Sequence, residues 1–208
     1  MNIKNPKKIH KTPLFRFPNS IWEATTTEAL SGEMPGKLSG PWKIMLLGDG
    51  SPTRHLELLT GYEVQIKLIG MENDENPEPG KSAPIEINEL QFPLIKRQVW
   101  LTCNGQTLAW AESWWNKQEA DFHLNNKEQP IWKSLTQGRS ELFREVDGLA
   151  LVNDAWLESE FGCQGPFWSR HYRFFRNEKE LTVIREVFSS TLEQWIGKSA
   201  LKYSEKAC

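Results

Sequence analysis

The sequence predicts a single α+β domain built on an antiparallel β-sheet. Two strand–turn–strand units carry this prediction, one around Asn104-Gly105 and one around Asn177-Glu178-Lys179. The helical signals are few and scattered between strands, which argues against a doubly wound parallel sheet. At 208 residues the chain is long enough for one substantial core. The domain is expected over residues 21–195, after a loose basic and proline-containing arm (1–20) and before a tail (196–208) that reads as a short helix or a frayed end.

Turn residues dominate positions 21–40, so firm order is expected from Trp42 and the apolar run Ile44–Leu47. GDGSPTRHLELLTG carries the best-marked helix: Ser51 suits the N-cap, Pro52 the first turn and Gly61 the left-handed stop. Leu56 and Leu59 give it an inward face, joined by His55. Tyr62–Ile69 alternates as a half-buried strand, and the acidic MENDENPEPGKS reads as a mobile loop. LIKRQVWLTC and QTLAWAESWW form the first hairpin, and a short helix is expected over Pro130–Leu135. ELFREV extends that helix or begins a strand, and GLALVNDAWLES is ambiguous. WSRHYRFFR and ELTVIREVFSS form the second hairpin. No internal repeat is visible.

The 27 acidic and 25 basic side chains nearly cancel, which argues against a nucleic-acid binder. No apolar run reaches the ~18 residues of a membrane span, and the basic start lacks a secretory core, so a cytoplasmic location is expected. Cys103, Cys163 and Cys208 are too few and too widely spaced for a disulfide framework or a zinc site. Phosphate-loop, dinucleotide, zincin and nucleophile-elbow motifs are absent, and the four histidines are scattered. Ten tryptophans suggest a large aromatic core first and a ring-stacking pocket second.

Strand alternation singles out two charges. Arg97 falls with Ile95, Val99 and Leu101, and Glu186 with Thr182, Ile184 and Phe188. A guanidinium on an apolar face needs a carboxylate, from the protein or from a ligand. A structural ion pair or a sheet-edge position explains the two residues as well as a ligand site does. Arg54, Arg170 and Arg173 are reserve cations, mostly expected in solvent. GDGSPT places backbone amides at a helix N-terminus, which suits an anion such as a carboxylate; a capped tight turn explains it too.

In order between Trp42 and Ser190, LLGDGSPTRHLELLTG, KRQVWL–NG–LAWAESWW, PIWKSL and IREVF resemble the chorismate pyruvate-lyase superfamily, in its cyanobacterial and plastid branch. The resemblance implies an antiparallel sheet whose helices flap over a buried site. It implies removal of the enolpyruvyl group of chorismate, giving 4-hydroxybenzoate and pyruvate for plastoquinone biosynthesis, with no metal or organic cofactor. The family's ligand-binding arginine matches Arg97, and its glutamate facing the ring hydroxyl matches Glu186. Main-chain amides at Ser51–Thr53 and Ile131–Trp132 would complete the carboxylate site. Two departures stand out: Pro52 has no N–H where the family donates one, leaving Thr53 or a one-residue shift to substitute, and Trp132 replaces a usual glycine. The alternative reading is a non-catalytic module for aromatic acids, similar to the effector domains of transcription regulators. The segment before Trp42 is too broken by proline and glycine for the winged helix such regulators carry. Oligomeric state leaves no mark in the sequence.

Overall fold

The computed structural model describes residues 15–32, 37–124, 131 and 142–201. Its centre is the pair of predicted hairpins. Strands β4 (Leu94–Cys103) and β5 (Gln106–Asn116) turn at Asn104 and Gly105, whose φ values of 47° and 77° are those of a type I′ hairpin turn. Strands β7 (Phe167–Arg176) and β8 (Lys179–Phe188) turn at Asn177 and Glu178, with φ of 49° and 64°. β5 pairs antiparallel with β8, which joins the hairpins. With β1 (Ser20–Thr25), β3 (Gln65–Asp74) and β6 (Phe143–Val152) they form one seven-stranded sheet, ordered β1-β6-β7-β8-β5-β4-β3. The fold is α+β, as the hairpins and sparse helices imply.

Several elements depart from the sequence reading. Order begins before Trp42: β1 lies along β6, and helix α1 (Thr26–Ser31) follows it. A reciprocal capping box between Thr25 and Glu28 starts that helix. The last residues of the expected arm are fastened. The Arg16 backbone exchanges hydrogen bonds with the Gln98 amide, at 3.4 and 2.9 Å, and Asn19 binds Asp154. The expected tail also contributes structure, since β9 (Ala200–Leu201) pairs with β2 (Lys37–Leu38). β3 runs on through Asp74, four residues into the expected acidic loop. An irregularity between Leu68 and Gly70 re-phases it, and Asp74 accepts the Trp114 indole N–H at 3.2 Å. The two ambiguous segments resolve as β6 and, from Ala155 to Phe161, helix α5. Helix α4 is Lys117–His123 and α6 is Glu193–Ile196. No described helix is long and apolar enough to cross a membrane.

Both faces of the sheet are covered. Helices α2 (Gly40–Leu47) and α3 (Pro52–Thr60) bury Trp42, Met45, Leu46 and Leu56 against the face carrying Val99, Leu101, Ala109 and Phe188. Helix α5 packs Leu157 and Phe161 on the opposite face beside Trp100, Trp110 and Val187. There a 3-10 turn at Ile85–Glu89 also seats Ile87 near Trp114 and Val183. β4 is therefore buried along nearly its whole length, on both sides. Most of the described tryptophans serve this core: Trp42, Trp110, Trp114 and Trp115 are all fully buried, whereas Trp195 is exposed.

Candidate functional site

Between the α3 end of the helical layer and the sheet lies a cavity of about 40 Å³. Its floor is set by strand register. Arg97, Ser113, Ile184 and Tyr172 lie side by side across β4, β5, β8 and β7. The next row holds Val99, Ala111, Glu186 and Arg170. Side chains directly opposite share a face, so Arg97 and Glu186 project to the same side, two strands apart.

Of the residues singled out from sequence, Ser51, Thr53, Arg97, Ile131 and Glu186 all line this cavity. Trp132 lies outside the described residues. None of the described tryptophans borders the cavity; its apolar walls are Ile66, Val99, Leu101, Phe174 and Ile184. A ring-stacking role for them is therefore not what the fold builds.

Glu186 is held before any ligand arrives. Its Oε2 accepts from Arg170 Nε at 2.8 Å and its Oε1 from the Tyr172 hydroxyl at 2.8 Å. The Arg170 and Glu186 side chains are 0% and 3% exposed, so this is a fully desolvated ion pair. Arg170 Nη1 also donates to the carbonyls of Met45, Leu46 and Gly48, at 2.8, 3.3 and 3.1 Å, which are orphan acceptors at the end of α2. Burial, then the Glu186 charge, pushes the Tyr172 phenol well above its usual range, so it remains a donor.

Arg97 is 2% exposed, and burial pulls its pKa down to about 10, which leaves it cationic at neutral pH. Arg144, on β6, enters the same cavity. Its guanidinium lies 4.5 Å from the Tyr172 ring centre and 4.6 Å from that of Phe174, and its Nη1 donates to the Gly50 carbonyl. Sequence reasoning passed over Arg144 and held Arg170 only in reserve. In both segments an arginine alternates with apolar or aromatic residues, which is the signal that would have found them. The other reserves point elsewhere: Arg54 is exposed, and Arg173 binds Asp147.

The first turn of α3 completes the wall. Ser51 makes no side-chain cap and Pro52 has no N–H, so the amide of the buried Thr53 is the first donor the helix offers. The preceding turn is tight. A Cβ on Gly50 would lie 2.2 Å from His55 Nε2, so any larger residue there would displace the imidazole. Burial, then Arg170 and Arg144, pushes the His55 imidazole below its usual range, so it is neutral here.

Away from this cavity, Glu86, Asp147 and His171 bring their ligand atoms within 4.8 Å of one another. Arg173 already donates to Asp147 at 2.7, 3.1 and 3.2 Å, and a guanidinium there opposes a metal cation.

A family model, "Chorismate pyruvate-lyase Rv2949c-like", matches residues 46–196. The ycf21 protein of Cyanophora paradoxa is 34% identical over 155 residues, covering 73% of this chain and 78% of that protein. Its counterpart in Porphyra purpurea is 32% identical over 155 residues, covering 74% and 83%. Both come from plastid genomes. Among solved structures, the effector domain of PhnF from Mycobacterium smegmatis is similar in fold. It has a TM-score of 0.54 at 14% identity, over 70% of this chain and 92% of that one.

Proposed function

Because the chain belongs to the chorismate pyruvate-lyase Rv2949c-like family, we propose that it converts chorismate to 4-hydroxybenzoate and pyruvate. The ring product would serve plastoquinone biosynthesis in the cytoplasm of a cyanobacterium-like cell. One observation carries the reading: one cavity collects Arg97, Glu186 and the first turn of α3 between apolar walls. That set suits a small ring with a carboxylate at one end and a hydroxyl at the other.

In this reading Arg97 grips the ring carboxylate in a bidentate fashion, supported by the Thr53 amide and by the backbone near Ile131. Glu186 accepts the hydrogen bond of the C4 hydroxyl. Its two oxygens keep lone pairs beyond those used by Arg170 and Tyr172. The bond from C3 to the ether oxygen breaks, and the C4 proton leaves. That electron pair closes the aromatic ring, and the departing enol takes up a proton and becomes pyruvate. Aromatisation drives the step, so the protein contributes geometry, electrostatic fit and modest acid–base help. Glu186, the one carboxylate among the described wall residues, would assist proton removal in this reading.

The test is purified protein mixed with chorismate, with both products followed by chromatography. Formation of 4-hydroxybenzoate and pyruvate above the spontaneous rate supports the lyase. Thermal stabilisation by 4-hydroxybenzoate with chorismate left intact would instead mark a binding module.

A further inference from the structure

Chorismate carries a second carboxylate, on the group that leaves, and the cavity has an arginine that the lyase reading above does not use. Arg144 rises from β6, four strand spacings from Arg97 on β4, or about 19 Å between backbones. The two long side chains therefore enter the cavity from opposite ends. The Arg144 guanidinium lies over the Tyr172 and Phe174 rings, at 4.5 and 4.6 Å, and is anchored by one donor to the Gly50 carbonyl. Its Nε–H is buried and meets no acceptor among the described residues. No carboxylate among those residues pairs with it either. An oriented guanidinium with a buried, unused donor is a built half of a bidentate carboxylate clamp. The one carboxylate among the described wall residues, Glu186, is already matched by Arg170.

We propose that Arg144 is the specificity-determining residue that binds the second carboxylate of a dicarboxylate ligand, the enolpyruvyl carboxylate if the ligand is chorismate. The assignment rests on reading this cavity as the substrate site. It gives the cavity a means of telling substrate from product. The dianion engages Arg97 and Arg144 together, whereas 4-hydroxybenzoate has only the carboxylate that Arg97 holds. Loss of pyruvate removes the Arg144 contact and weakens the hold on what remains.

Two stable probes decide the matter without turnover: 4-hydroxybenzoate, with one carboxylate, and 3-carboxymethoxy-4-hydroxybenzoate, with two. Their affinities are measured by calorimetry on the wild-type protein, Arg144→Gln and Arg144→Lys. The dicarboxylate is expected to lose about tenfold or more in Arg144→Gln, the scale of a charged hydrogen bond, with partial recovery in Arg144→Lys. The monocarboxylate should change by less than about threefold, well under that scale. A merely structural role, through Gly50 and the turn before α3, would weaken both probes alike. Parallel losses, no loss, or a wild-type protein that binds neither probe would each overturn the assignment. Chorismate turnover is scored separately. A protein that discriminates the probes through Arg144 but leaves chorismate intact would keep this assignment and lose the lyase.

Discussion

Glu186 sits between two donors, Arg170 and the Tyr172 phenol, in a spot almost closed to bulk solvent. Such a carboxylate is fixed in position and has acceptor capacity left over, which suits recognition of a ring hydroxyl. In the proposed lyase, Arg97, two strands away, is the complementary grip. Arg97→Ala and Glu186→Gln are each expected to lower kcat/KM for chorismate about 10- to 100-fold, the scale of a hydrogen bond to a charged group. Steady-state kinetics on the folded variants checks this, and normal turnover in either would remove that residue's role. At this scale the sequence was legible where a charge interrupts a period-2 apolar run, as at Arg97 and Glu186. The same rule applies to Arg144 and Arg170, which sit among the aromatics of FREV and WSRHYRFFR. It fails to separate buried charges of the opposite face. Lys96 and Glu112 are buried too, and Glu112 meets Arg185 at 2.5 Å. Alternation assigns faces; it does not say that both are covered.

At the level of elements, Arg170 joins parts of the chain that are far apart in sequence. It links β7 to Glu186 on β8 and to three carbonyls at the end of α2. Arg170→Ala leaves a buried carboxylate unmatched and those carbonyls without their donor, so a stability loss of about 3–5 kcal/mol is expected. Urea titration measures it, and a change under about 1 kcal/mol, the range of an exposed pair, would contradict it. Helix α3 and both hairpin turns were readable because their punctuation is local: Ser51, Pro52 and Gly61 for the helix, Asn104-Gly105 and Asn177-Glu178 for the turns. β1 and α1 were not read, because Ser31, Gly32 and Pro35 make the region look like turns. Thr25 and Glu28, three residues apart, were the overlooked start signal. The end of β3 was missed because pairing with β4 overrides an acidic composition once Asp74 has Trp114 as a partner.

Across the whole molecule, the sheet works as a plate with the Arg97–Glu186 cavity on one side and a polar network at the rim of the other. The edge pairing of β1 with β6 joins residues more than a hundred positions apart, and no local pattern announces it. The network has a pH signature. Glu180 lies half-buried on β8, with no hydrogen-bond partner for either carboxyl oxygen among the described residues. Burial, then the Glu89 charge, raises its pKa to about 8, against the favourable pull of Arg173. A carboxyl whose folded pKa is raised favours the folded state while protonated. That contribution is complete below the unfolded value of about 4.3 and is lost as pH climbs through about 8. Glu180→Gln keeps the neutral shape at every pH. Its melting temperature is therefore expected to match wild type most closely near pH 5 and to exceed it increasingly up to pH 9. A gap independent of pH would contradict the raised titration.

The cavity unites Arg97, Glu186 and the start of α3, and turnover of chorismate tests what that union does. Wild-type protein and Arg97→Ala are incubated with chorismate beside a protein-free control, and 4-hydroxybenzoate and pyruvate are quantified over time. Equal amounts of both products, formed well above the control rate by wild type and largely lost in Arg97→Ala, is the predicted result. Chorismate decaying at the control rate in the presence of folded wild-type protein would contradict it.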